Sequence, residues 1–139
     1  MNIAIINGPN LNLLGKREVD IYGNESFDVF LEALKNKYPE VSFSYYQSNL
    51  EGELINYIQE VGFTADGIIL NPAGYTHTSV ALGDAIAAIK TPVVEVHISN
   101  TAAREAFRQI SHVSAKCAGT IIGLGIKGYE LAVGYFLNK

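Results

Sequence analysis

The sequence predicts a doubly wound α/β fold, and three features predict it. Five apolar runs of strand length alternate with segments whose apolar residues recur at helical spacing. The runs are β-branched and apolar throughout, as in a parallel sheet covered by helices on both faces. The connections between them are short, so successive right-handed crossovers wind the chain around a single sheet.

The elements follow in order. Ile3 to Asn7 is a buried strand. Phe27, Phe30, Leu31 and Leu34 recur at helical spacing after the capping candidates Asn24 and Ser26. Val41 to Tyr46 alternates like a strand. Ser48-Asn49-Leu50-Glu51 reads as a capping box before Leu54, Ile55, Ile58 and Val61, and Gly62 ends that helix. Gly67 to Leu70 is the third strand, Ser79 to Ile89 an Ala-rich helix closed by Thr91-Pro92, and Val93 to Val96 the fourth strand. Ala102 to Phe107 suits a short helix. Thr120 to Gly123 is the fifth strand and Lys127 to Leu137 the last helix. Five strands so connected suit the flavodoxin-like order 2-1-3-4-5.

The 139 residues fit one domain, expected to span residues 1–139, and can bury roughly two thirds of the unfolded surface. Only 17% of residues are charged, against about 25% in typical soluble proteins. Such a chain either buries its sheet on both faces or covers surface with copies of itself. Ten basic residues stand against fourteen acidic ones, and no basic stripe exists, which argues against a nucleic-acid partner. The lone Cys117 excludes an intrachain disulfide, and no Cys/His cluster has zinc spacing, so no metal site is expected. Met1 to Asn7 lacks a basic n-region and reads as a strand and not a signal peptide. No stretch approaches the roughly 18 apolar residues of a membrane span. The expected setting is the cytoplasm, away from membranes.

Doubly wound sheets bind ligands beyond the carboxyl ends of their strands, at the switch point between strands 1 and 3. That rule selects Asn7 to Glu18, Asn71 to Thr78 and Glu95 to Asn100, which hold most of the residues able to do chemistry. The first connection, Gly8 to Asn24, far exceeds the about 2–6 residues usual for a βα loop. It carries Arg17 and Tyr22, with Gly15 and Gly23 as possible hinges. It reads equally as a lid or as a surface loop with a solvated Arg and a packing Tyr.

Glu95 and His97 lie two apart on a strand and point the same way, roughly 6.5–7 Å apart at Cα. The carboxylate then fixes the imidazole tautomer and makes a general acid, or the pair is a structural one. Ile98-Ser99-Asn100 opens the following segment, where free N–H groups and the Ser99 hydroxyl offer an anion pocket or only a cap. Arg104 and Arg108 share a helical face there, pairing with Glu105 or turning to the pocket. Asn10 and Asn71 flank the same place. His77 either meets a ligand hydroxyl or caps the Ser79 helix. Asp84, alone, is a solvated helix residue. Gly123-Leu124-Gly125-Ile126-Lys127-Gly128 matches a dinucleotide fingerprint, but too little chain follows for the second strand and acid that motif needs, so its glycines serve a tight turn.

Taken together, these residues make the chain resemble the type II 3-dehydroquinate dehydratases. The matching stretches are Ile6 to Gly15, Arg17-Glu18 with Tyr22-Gly23, Gln47-Ser48-Asn49 with Glu51-Gly52, Asn71 through Asp84, Glu95 to Asn100, Arg104-Glu105 with Phe107-Arg108, Gly123-Leu124-Gly125 and Gly128-Tyr129. They cover nearly the whole chain. Val19 departs from a usual proline, Ala73-Gly74 inverts the commoner order, and Gly83 stands where many relatives carry arginine.

The resemblance implies a hydro-lyase that converts 3-dehydroquinate to 3-dehydroshikimate and water by anti elimination through an enolate, in the shikimate pathway. It implies Tyr22 as the base that takes the C2 proton. A free tyrosine is only about one-thousandth ionised at pH 7, so Arg17 beside it is to favour the phenolate. Asn10 is to hold a water on the enolate oxygen, and His97, oriented by Glu95, is to protonate the departing C1 hydroxyl. The substrate carboxylate is to sit on the Ile98 and Ser99 N–H groups and the Ser99 hydroxyl, with Asn71, His77 and Arg108 on the ring oxygens. Asp84 is to reach the site of a neighbouring subunit in a trimer, usually four trimers making a dodecamer. No metal, nucleotide or other cofactor is implied. The rival readings are a flavodoxin-like FMN- or phosphate-binding module and a phospho-receiver domain. The first wants a hydroxyl-rich loop after strand 1, but no Ser or Thr lies between Gly8 and Gly23. The second wants acids where Asn7 and Asn71 stand.

Overall fold

The computed structural model describes residues 1–139. Strands β1 (Asn2–Asn7), β2 (Ser42–Gln47), β3 (Gly67–Asn71), β4 (Val93–His97) and β5 (Gly119–Ile122) form one parallel sheet in the order β2-β1-β3-β4-β5, as the sequence predicts. The helices are α1 (Val19–Tyr22), α2 (Phe27–Lys37), α3 (Glu51–Val61), α4 (Val80–Ala88) and α5 (Lys127–Leu137). None is long and apolar enough to cross a membrane.

Strand alternation divides the core in two. Ile3, Ile5, Ile69, Val94 and Val96 pack on one side with Phe27, Phe30, Leu31 and Leu34 of α2 and Tyr129, Val133 and Phe136 of α5. Ala4, Ile6, Ile68, Leu70 and Val93 pack on the other with Leu54 and Ile58 of α3 and Leu82 and Ile86 of α4. Each such Ile or Leu contributes roughly 1.5–3 kcal/mol by leaving water. β3 and β4 are buried along their whole length. The expectation of cover on both faces fails at the edges, where Ser42 and Ser44 of β2 and Gly119, Thr120 and Ile122 of β5 are exposed.

The caps fix where the helices begin. Ser26, not Asn24, caps α2 by accepting from the Val29 N–H at 3.4 Å, and Ser79 caps α4 by accepting from Leu82 at 3.0 Å. The predicted capping box is not formed. Leu50 is the N-cap of α3, while the Ser48 hydroxyl accepts from the Leu50 N–H at 2.9 Å and donates to Glu53 at 3.2 Å. The helix expected over Ala102 to Phe107 is instead two 3-10 turns, Thr101–Ala103 and Ala106–Gln109, broken where Arg104 adopts extended backbone. Arg104 and Arg108 therefore do not share a helical face.

Two departures in the sequence have local consequences. Gly83 is packed so closely that a Cβ there would lie 2.2 Å from the His112 carbonyl oxygen, so a larger residue requires the segment around His112 to move. Ala73 sits at φ 54°, the left-handed region, while a Cβ on Gly74 beside it meets nothing. A left-handed alanine costs about 1–2 kcal/mol, partly offset by the extra freedom a glycine loses on folding. Ala73→Gly is therefore expected to raise stability by about 0.5–1 kcal/mol in urea denaturation, and a lowered midpoint contradicts the strain.

Candidate active site

The carboxyl ends of β1, β3 and β4 open on a cleft of about 130 Å³ between the long segment after β1 and the turns after β3 and β4. It is the place that the strand order selects. Every residue singled out from the sequence lines it except Glu95 and Asp84.

The segment after β1 is more ordered than a loop. It forms a 3-10 turn over Leu11–Leu13 and then α1, which the sequence pattern does not reveal because four residues cannot show a period. Gly15 and Gly23 bracket this flap at φ 86° and 85°, values open to glycine. Glu18 caps α1 from the left-handed region at φ 37° and ion-pairs with Arg17. Arg17 lies over the Tyr22 ring, its guanidinium carbon 4.5 Å from the ring centroid. The cation that meets the Tyr22 hydroxyl is a different one. Arg104 donates to the Tyr22 oxygen at 2.8 Å and to the Ser99 hydroxyl at 3.1 Å from the same nitrogen. The helical reading aimed Arg104 along one face with Arg108, and the break between the 3-10 turns is what aims it inward. Arg108 keeps the expected partner, donating to Glu105 at 2.6 Å, and still lines the cleft.

Opposite the flap, His97 Nε2–H donates to Glu95 Oε2 at 2.6 Å. Glu95 is fully buried behind the cleft wall. Thr76 donates to the same carboxylate at 3.1 Å, Ser114 at 2.5 Å and Thr120 at 3.4 Å. Burial alone pushes this carboxyl up, but hydrogen bonding and charge from His97, with the Ser114 and Thr76 hydroxyls, outweigh it and hold it below the usual carboxylate range. With Nε2 committed to Glu95, Nδ1 is the His97 nitrogen left for a ligand. Sequence reasoning found the pair but not the hydroxyls, which come from separate segments and carry no spacing signal.

The rest of the set divides plainly. Ile98 and Ser99 are buried at the floor of the cleft. Asn10 is exposed at its rim, its backbone N–H on Asn49 at 3.0 Å. Asn71 accepts from the Ala73 N–H at 3.0 Å and donates to the buried Tyr129 hydroxyl at 2.9 Å. His77 pairs through Nδ1 with the Ile110 carbonyl at 2.7 Å, so it does not cap α4, and its ring stands 6.5 Å from that of His97. Asp84 is exposed on α4, outside the cleft, and its own chain does not bring it to the site. The tight turn expected of Gly123 and Gly125 is present, at φ 87° and 65°.

A phenol under two guanidinium groups faces a cleft whose other wall is an imidazole tied to a buried carboxylate, so this doubly wound protein gathers in one place the groups that acid–base chemistry needs. The chain belongs to the class II dehydroquinase family, whose model, described as "Dehydroquinase class II", matches residues 1–137. It is 54% identical over 144 residues to a 3-dehydroquinate dehydratase of Fusobacterium nucleatum, covering 99% of this chain and 97% of that protein. It is 53% identical over 135 residues to one of Campylobacter jejuni, covering 96% and 85%. The crystal structure of the type II dehydroquinase from Butyrivibrio crossotus superposes with a TM-score of 0.94 at 45% identity, covering 99% of this chain and 97% of that one.

Proposed function

We propose that this chain is a hydro-lyase that converts 3-dehydroquinate into 3-dehydroshikimate and water, by anti elimination through an enolate, in the shikimate pathway toward chorismate and the aromatic amino acids. The observation that carries this reading is the Arg104–Tyr22 contact on the flap, with the His97–Glu95 pair lining the same cleft. The Tyr22 phenolate takes the proton from C2, and the C–H electrons move toward the C3 carbonyl oxygen as an enolate. Arg104 donates to the Tyr22 oxygen and Arg17 lies over the ring, so two cations stand at the group that takes the proton. Asn10 holds a water on the enolate oxygen. The enolate then collapses, the C1–O bond breaks, and His97 Nδ1–H gives its proton to the departing hydroxyl, leaving an enone and water. Ile98 and Ser99 hold the substrate carboxylate, while Asn71, His77 and Arg108 hold the ring oxygens. Apart from that water, every group in this scheme is a protein side chain or main-chain amide. No observation favours the flavin-binding or receiver reading.

The whole chain acts as one catalytic domain in the cytoplasm and assembles as trimers, four to a dodecamer, with Asp84 of one subunit completing the site of another. What supports the assembly is Asp84 itself, a charge exposed on α4 with no ion-pair partner in its own chain, next to the exposed Val80. Asp84→Ala is expected to raise KM by about tenfold or to shift sedimentation to smaller species. Unchanged KM with unchanged sedimentation refutes the shared site. The activity itself is tested by adding 3-dehydroquinate and following the ultraviolet absorbance of the conjugated enone. A flat trace with folded protein overturns the reading.

A further inference from the structure

Tyr129 is among the largest fully buried side chains, and nothing in the elimination uses it. It comes from α5, 58 residues after Asn71 and 122 after Asn7, yet its hydroxyl lies between those two asparagines. Asn7 and Asn71 are register partners at the ends of β1 and β3 and face the same side of the sheet. Their four hydrogen bonds form a chain with one direction. The Ala73 N–H donates to Asn71 Oδ1 at 3.0 Å, and Asn71 Nδ2 donates to the Tyr129 oxygen at 2.9 Å. The Tyr129 O–H donates to Asn7 Oδ1 at 2.7 Å, and Asn7 Nδ2 donates to the Tyr45 oxygen at 3.3 Å.

The direction follows from elementary chemistry. A backbone N–H is only a donor, so the end of Asn71 facing Ala73 must be its oxygen. Its amino end must then face Tyr129, and the one hydroxyl proton of Tyr129 is left for Asn7. Phe27 and Phe30 pack on the Tyr129 ring at 4.9 and 5.9 Å between centroids, so the ring does not swing away. Burial pushes the Tyr129 hydroxyl far above its ordinary range, which outweighs the opposing hydrogen bonds from Asn71 and Asn7 and keeps it neutral. One N–H of Asn71 has no partner in the chain, and Asn71 lines the cleft.

The geometry points to Tyr129 as a positioning residue that, with the Ala73 N–H at the other end, holds the Asn71 amide so that it offers a ligand an N–H donor and never its carbonyl. The site thereby selects an oxygen acceptor on the substrate at that point. This rests on the dehydratase reading of the cleft. It assigns a task to a residue that touches neither substrate nor reacting atoms.

The test is steady-state kinetics of Tyr129→Phe with 3-dehydroquinate, alongside the native enzyme and Tyr45→Phe. The expected result is a KM raised roughly tenfold with kcat within about twofold, while Tyr45→Phe, at the far end of the chain, keeps the native KM. A purely structural role lowers melting temperature and the active fraction, and so apparent kcat, but leaves KM unmoved. That outcome overturns the proposal. Should Tyr129→Phe not fold, Asn7→Ala removes the acceptor that orients the Tyr129 proton. Asn7 is absent from the cleft wall, so a raised KM there supports the lock and a native KM refutes it. A native enzyme inert toward 3-dehydroquinate refutes the dehydratase reading instead, before any variant is compared.

Discussion

Tyr22→Phe is expected to fold as the native chain does and to lose about a thousandfold or more in kcat. The substitution deletes one oxygen from a half-buried side chain. Its only side-chain hydrogen-bond partner there is Arg104, which keeps its contact with Ser99 at 3.1 Å. The cost in stability is therefore no more than about 1 kcal/mol. The aromatic face remains, so Arg17 keeps its place over the ring. What disappears is the only group on the flap able to accept a proton from carbon in this scheme, and positioned general bases contribute about 10²–10⁴ in rate. Substrate binding rests on the opposite wall, so KM changes far less than kcat. Enone absorbance and a far-ultraviolet spectrum check both halves of the expectation. A variant that turns over at the native rate removes Tyr22 as the base.

The strand order was legible because period and composition act together. A run such as Val93 to Val96 is too short and too apolar for a surface helix, and Thr91-Pro92 separates it from the helix before it. The edges were less legible, since a composition rich in β-branched residues does not say which strand lacks a neighbour. β5 is as rich in β-branched residues as β4, but on one side no strand pairs with it, and its first two residues lie in the open.

The site was legible where one element carries two partners. Glu95 and His97 share a strand face, so spacing alone joins them. Arg104 was left between the pocket and Glu105 because its direction depends on a break in local structure. Thr101 to Gln109 has the apolar spacing of one helix turn, and the Asn100 side chain caps its start by accepting from the Ala102 N–H at 3.2 Å, yet the first turn stops at Arg104, where the backbone is extended. Ser114 and Tyr129 were missed for a topological reason. They come from later elements to positions behind the cleft wall, and only the folded sheet brings Ser114 to Glu95 or Tyr129 between Asn7 and Asn71.

Glu95→Gln is expected to lower kcat by about a hundredfold at neutral pH while leaving KM nearly unchanged. Glutamine keeps the volume and an oxygen for His97 Nε2–H. Its amino end can turn toward Ser114 and Thr120, whose hydroxyls rotate to accept. What is lost is the negative charge that faces His97 Nε2–H and orients the ring for proton transfer. Stability supplies a second readout. The native carboxyl is held below its unfolded value, so between the two values the unfolded chain binds the extra proton. Its stabilising contribution is therefore complete above the unfolded value of about 4.3 and is lost as pH falls through the lower folded one. Titrating groups that do not touch Glu95 are common to both proteins and cancel in the difference between them. The gap in urea midpoint between native enzyme and variant must then narrow from pH 7 to about pH 3. A gap that stays constant shows that the fold does not favour the Glu95 carboxylate, and the same result leaves the imidazole without its counter-charge.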